Sequence, residues 1–168
     1  MKQRRPKLRH VLLDEAFINA LLATDAPQHG AAAQLYSDLV DRYQMGLDRL
    51  YALSTVLGDL PIEFRRNALA PVLTLRVARQ HRAAAARVDD SVSPSAALSL
   101  VMMRRERVRT VATAVHDYDD IEVDVLSVAD VVVTPPTVHD ASEVQAHTSA
   151  DVVSSGIELT PAPRSTDG

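Results

Sequence analysis

Apolar residues along this chain follow two rhythms, short unbroken runs and stretches with helical spacing, and the two alternate. The run at residues 10–13 reads as a strand, and Phe17, Ile18, Leu21 and Leu22 after it recur at the three- and four-residue spacing of one helix face. Leu35, Leu39 and Tyr43, with Tyr36 and Val40 beside them, predict a second helix over about 27–43, and Gly46 marks its end. A second strand is expected at 50–54, followed by a short helix around 55–60 that Pro61 breaks. A helical stretch resumes at Ile62, and an arginine-rich helix is expected over 71–88 with Pro71 in its first turn. Ser93 and Pro94 fit the cap and first position of a further helix, which buries Ala97, Leu98, Val101 and Met102 and gathers Arg104, Arg105 and Arg107 at its carboxyl end. Strands at 108–115 and about 121–128 complete the series. Alternation of this kind implies a parallel sheet with right-handed crossovers and helices on both faces.

Polar residues at the carboxyl ends of the strands carry the candidate chemistry. In Val11-Leu12-Leu13-Asp14 an acid follows an apolar strand, the place where open α/β sheets build their sites. Burying that acid is costly unless it is coordinated or hydrogen-bonded, and capping the next helix would serve equally. Ser54 leads through Thr55-Val56-Leu57-Gly58 to Asp59, which also fits a helix end between Gly58 and Pro61, with Glu63 as a rival. The third strand leads into His116-Asp117-Tyr118. An extended backbone would put Asp117 on the same face as Val115; a turn aspartate before an aromatic also caps its own loop. His116 reads as a solvated loop histidine.

Composition limits the architecture to one core. At 168 residues with 46% hydrophobic content, the chain has apolar surface for a single globular body and a tail. No apolar run reaches the ~18 residues of a membrane span, the start lacks a long apolar stretch, and a cytoplasmic location is the expectation. Without cysteine there is no disulfide framework and no thiolate metal site. The net charge of −4 hides an asymmetry. From residue 127 onward, Arg164 is the one basic residue against Asp130, Asp140, Glu143, Asp151, Glu158 and Asp167, whereas residues 62–109 hold ten arginines against four acids. The first nine residues add five basic side chains. Such patches suit a polyanion; arginines in an alanine-rich helix also serve as solvated helix formers. The organisation expected is a basic arm at 1–9, a body at 10–130, and an acidic, disordered tail at 131–168 rich in Pro, Ser and Thr.

Three stretches together resemble the PIN domain family, small nucleases that include the VapC toxins of toxin–antitoxin pairs. Val-Leu-Leu-Asp-Glu-Ala-Phe-Ile-Asn-Ala-Leu-Leu at 11–22 resembles the family's opening strand, first acid and helical asparagine. Ser54 to Asp59 resembles its serine followed five residues later by the second acid, with Asp in place of the usual Glu. Ser93-Pro94-Ser95-Ala96 through Met103-Arg104-Arg105, then Ala112 to Tyr118, resembles the third helix-start acid and the closing acid before an aromatic.

The resemblance implies an α/β, PIN-like three-layer sandwich with a central, mainly parallel sheet flanked by helices. It also implies a metal-dependent endoribonuclease in which Mg²⁺ or Mn²⁺, held by acids, activates water on RNA, and a homodimer with an antitoxin protein as partner. Carried onto this chain, Asp14 and Asp59 are the catalytic candidates and metal ligands, Asp117 a stand-in ligand, and Arg104 and Arg105 contacts for RNA phosphates. Two family acids are replaced: Ser95 stands at the third position and Val115 at the fourth. Activity is then expected to be weak or absent, the alternative being a silent module that binds RNA or a protein. A receiver domain would need a phosphorylatable Asp ending its third strand, and a haloacid-dehalogenase-type phosphatase an Asp where Ala16 stands. No P-loop, dinucleotide fingerprint or HExxH occurs.

Overall fold

The computed structural model describes residues 7–133, and the alternation of the sequence becomes strand and helix in turn. The elements are β1 (Arg9–Leu13), α1 (Glu15–Leu22), α2 (His29–Gln44), β2 (Asp48–Leu53), α3 (Ser54–Gly58), α4 (Ile62–Asn67), β3 (Val72–Leu75), α5 (Arg79–Ala85), α6 (Pro94–Glu106), β4 (Thr110–Thr113) and β5 (Asp124–Ser127). A 3-10 turn at Val128–Asp130 follows. All five strands pair in parallel in the order β3-β2-β1-β4-β5. With helices flanking the sheet, this is the three-layer α/β sandwich that the resemblance implied.

The centre of the sheet explains its unbroken apolar runs. β1 lies between β2 and β4, in register Val11↔Leu50 and Val11↔Thr110, so both of its faces are covered. Val11, Leu12 and Leu13 have no solvent exposure, and all four residues of β4 are buried. Phe17, Ile18 and Leu21 of α1 and Leu100, Met102 and Met103 of α6 join this core. Each such side chain contributes roughly 1.5–3 kcal/mol of burial.

Caps fall where the sequence placed them. Ser93 accepts the Ala96 N–H at 3.3 Å with Pro94 at the first helical position. Gly46 follows α2 with φ +72°, a left-handed conformation that glycine adopts without steric cost.

The expected arginine-rich helix at 71–88 is corrected by the fold. Val72–Leu75 is instead an edge strand paired with β2, Leu50↔Val72 through Leu53↔Leu75, and helix returns only at Arg79–Ala85. An unpaired edge of β2 offered hydrogen-bond partners that outweighed the helix propensity of the surrounding Ala and Arg, and Val72-Leu73-Thr74-Leu75 suits a strand. The last strands are also shorter than expected. β4 ends at Thr113, and the chain bends at 114–117 where 108–115 was expected to be extended. The Thr113 hydroxyl accepts the Val115 N–H at 3.2 Å, a local side-chain bond that turns the backbone out of the sheet. The face-sharing of Val115 and Asp117 assumed an extended backbone and does not arise. Residues 121–123 precede β5 without strand pairing.

Of the expected terminal segments, residues 1–6 of the basic arm and 134–168 of the acidic tail lie outside the described residues. Arg9 itself opens β1. Among the described residues no helix is long and apolar enough to cross a membrane.

Candidate functional site

Sheet order decides where a site can form. From β1 the chain winds outward to β2 and β3, then returns to add β4 and β5 on the other side. The reversal lies between β1 and β4, and in such sheets the crevice opens outside the carboxyl ends of those strands. Asp14 is the first residue beyond β1, and Thr113 is the last of β4.

Asp14 is held there by backbone geometry. Its N–H donates to the Ala112 carbonyl at 3.1 Å, continuing the ladder to β4. Its Oδ1 accepts the Phe17 N–H at 2.7 Å and so caps α1. The residue is only 3% exposed. Burial pushes the Asp14 carboxyl above its ordinary value; the neighbouring Thr113 hydroxyl, the Phe17 N–H bond and the neighbouring Tyr118 hydroxyl oppose this, and the nearby Asp117 carboxylate adds to the rise.

Beside Asp14 lie the buried hydroxyls of Thr113 and Tyr118, with Ser99 next to Tyr118. Thr113 has no exposure, and Tyr118 and Ser99 each have 1%. Ser99 comes from the middle of α6 and Tyr118 from the bend after β4. Ser99 Oγ and Tyr118 Oη complete no hydrogen bond of good geometry. The Tyr118 hydroxyl nevertheless lies close enough to Asp14, and Ser99 close enough to Tyr118, to shift the groups they face. Burial pushes the Tyr118 phenol far up, and the Asp14 charge adds to it.

The other candidates of the sequence are brought together only in part. Asp117 is half-buried and acts on both Asp14 and Tyr118 through its charge. Asp59 is exposed at the carboxyl end of α3. Ser95 is half-buried in the first turn of α6, and Val115 is 38% exposed on the bend. Among the described residues no three Asp, Glu or His side chains gather where they could share a metal ion. A hard divalent ion needs several oxygens at near-octahedral positions. Here one carboxylate oxygen already caps a helix, Asp117 is the other acid nearby and the remaining neighbours are hydroxyls, so these residues do not form a ready cage for Mg²⁺ or Mn²⁺.

Arg104 and Arg105 lie in the last turn of α6, toward the opposite end of the sheet. Arg105 reaches the His81 ring of α5 and pairs with Glu106 at 3.3 Å. Arg104 lines an open cavity with Arg107 and Arg109.

Ser99 and Thr113 escaped the sequence reading as site residues, and Tyr118 entered it only as the aromatic after Asp117; Ser54 was singled out there with Asp59. A serine on the apolar face of α6 and a threonine closing a wholly buried strand were the available signals. Ser54 opens α3, and its Oγ accepts the Val77 N–H at 3.0 Å, tying the end of β2 to the chain beyond β3.

No protein-family model and no curated protein matches the chain. Several solved structures are similar to it, two of them as follows. One is VapC20 of Mycobacterium tuberculosis, described as a sarcin–ricin-loop-cleaving toxin, with a TM-score of 0.48 and 19% identity over 67% of this chain and 98% of that one. The other is VapBC2 from Rickettsia felis bound to a DNA fragment from its promoter, with a TM-score of 0.47 and 9% identity over 70% of this chain and 98% of that one.

Proposed function

We propose that this chain is a PIN-like domain with a reduced cleavage centre, which binds RNA and cleaves it weakly or not at all. One observation carries this reading: the single buried carboxylate at the sheet's switch point, Asp14, is committed to capping α1 amid the hydroxyls of Thr113, Tyr118 and Ser99. Ser95 and Val115 stand where the resemblance calls for two further acids. A neutral hydroxyl and an isopropyl group supply neither the charge nor the lone pairs by which a metal-bound water is activated.

Any residual cleavage would need Asp14 and Asp59, with Asp117, to hold a Mg²⁺ or Mn²⁺ ion that supplies the activated water; among the described residues these acids do not gather into such a site, which is why little or no cleavage is proposed. Exposed arginines, Arg104 and Arg105 among them, meet the phosphates of RNA. A VapC-type toxin role adds an antitoxin protein, a homodimer and a cytoplasmic location to the reading.

The experiment is cleavage of a mixed RNA pool by the purified full chain with Mn²⁺ and with Mg²⁺. It is run beside Asp14→Asn and the double variant Ser95→Asp, Val115→Asp. A silent wild type with cleavage in the double variant is the expected result. Robust wild-type cleavage abolished in Asp14→Asn would replace it with a working nuclease.

A further inference from the structure

Three adjoining cavities open at the amino ends of β1 and β4; Arg109 lines all three and Arg107 two of them. The largest, about 560 Å³, runs between the end of α6 and residues 121–123. Arg104, Arg107 and Arg109 line it together with Glu122, and Met103, Val108 and Val123 are among its apolar residues. The next adds Lys7 on the far side of Arg109. The parallel register explains the convergence. Val11↔Thr110 puts Arg109 beside His10, so the amino-terminal segment and the end of α6 meet at one edge. Glu122 and Asp124 are the acids on these walls, and among the described residues Lys7, Arg104, Arg107 and Arg109 make no ion pair.

Arg107 supplies an independent signal. It terminates α6 with φ 56° and ψ 32°, the left-handed conformation that favours Gly or Asn. A side chain there costs roughly 1–2 kcal/mol. The Arg107 side chain is exposed, so packing does not offset that cost. Backbone strain retained under an exposed, unpaired cation fits a residue kept for what its side chain binds.

We infer that this basic groove at the amino edge of the sheet is the surface on which the chain holds single-stranded RNA. The inference rests on the RNA-binding reading above and adds its location. Guanidinium groups contact phosphates, and such contacts do not select among bases. β4 separates the groove from Thr113 by its own four residues, about 13 Å at 3.3 Å per residue. RNA seated here is therefore held away from Asp14, and binding is separable from any cleavage.

The test is fluorescence anisotropy of a labelled oligouridine titrated with the full chain over a series of salt concentrations. Arg104→Gln with Arg107→Asn and Arg109→Gln removes three groove charges. Arg76→Gln with Arg79→Gln and Arg82→Gln removes the same charge elsewhere, and melting curves check that both variants are folded. Three lost phosphate contacts at about −0.7 each reduce the slope of log K against log salt by about 2, equivalent to about a hundredfold weaker binding at 0.1 M salt. The groove variant is expected to show this loss and the control to bind much more tightly than it. Equal behaviour of groove and control variants would overturn the location while leaving RNA binding intact. A wild type that does not bind would overturn the RNA-binding reading, and the groove assignment with it. Cross-linking with thiouridine-substituted oligouridine gives a readout free of mutation. Adducts in residues 100–109 or 121–123 support the groove, and adducts confined to the Asp14 end overturn it.

Discussion

The Arg9 guanidinium holds the Asp48 carboxylate with two of its nitrogens, Nε at 3.1 Å and Nη2 at 2.6 Å, across the start of β1 and β2. Arg42 of α2 approaches the same group at 3.0 and 3.3 Å. The Asp48 side chain has no solvent exposure. Burial alone would push its carboxyl up, but the hydrogen bonds and charges of both arginines outweigh that and hold it below the ordinary carboxylate value.

Removing Arg9 leaves a buried carboxylate with one partner. Arg9→Met is expected to cost about 3 kcal/mol at neutral pH, toward the lower end for a broken buried pair because Arg42 remains. A depressed folded pKa contributes stability above the unfolded value of 3.8, and that contribution is lost as pH falls through the folded value. Urea unfolding of wild type and Arg9→Met should therefore converge below about pH 4. A gap of constant size from neutral to acid pH would contradict the ion-pair account.

Asp14→Asn keeps a side-chain oxygen for the Phe17 N–H and removes a buried charge that faces no cation. Asn caps about as well as Asp, whereas Asp14→Ala loses the cap at about 1 kcal/mol. Thermal unfolding at neutral pH should place Asn at or above the wild type and Ala below it. Added Mn²⁺ should leave the wild-type melting temperature unchanged; a rise seen in the wild type and absent in Asp14→Asn would establish a metal site.

Ser99 sits in the interior of α6 with a buried Oγ that completes no hydrogen bond. Ser99→Ala removes that polar atom and improves helix propensity. A gain of about 1 kcal/mol in chemical denaturation is expected. A loss of similar size would mean that the hydroxyl supports Tyr118 more strongly than its geometry indicates.

Arg107→Gly relieves the left-handed cap at the end of α6. It should raise stability by about 0.5–1 kcal/mol, less than the full conformational cost because glycine also frees the unfolded chain. Calorimetry of the purified variant checks the sign, and an unchanged or lower melting temperature would show that Arg107 repays its strain within the folded protein.

Much of the fold was written locally. Continuous apolar runs at β1 and β4 declared strands buried on both faces, and Phe17, Ile18, Leu21, Ser93, Pro94 and Gly46 placed helix faces and ends by spacing and cap chemistry. Asp14 stood out because an acid after such a run must be satisfied. The edge strand β3 did not, because Val72–Leu75 gains its identity from the open edge of β2, a partner some twenty residues earlier in the chain.

By itself, then, the sequence determined the alternation of elements and the parallel sheet, since these depend on side-chain period and residue type. Only the tertiary structure decided what surrounds Asp14 and where the arginines gather. The hydroxyls of Ser99, Thr113 and Tyr118 come from α6, the end of β4 and the following bend, and Lys7 meets Arg109 through strand register. Register and crossover bring together residues as much as a hundred positions apart, a relation that no local pattern records.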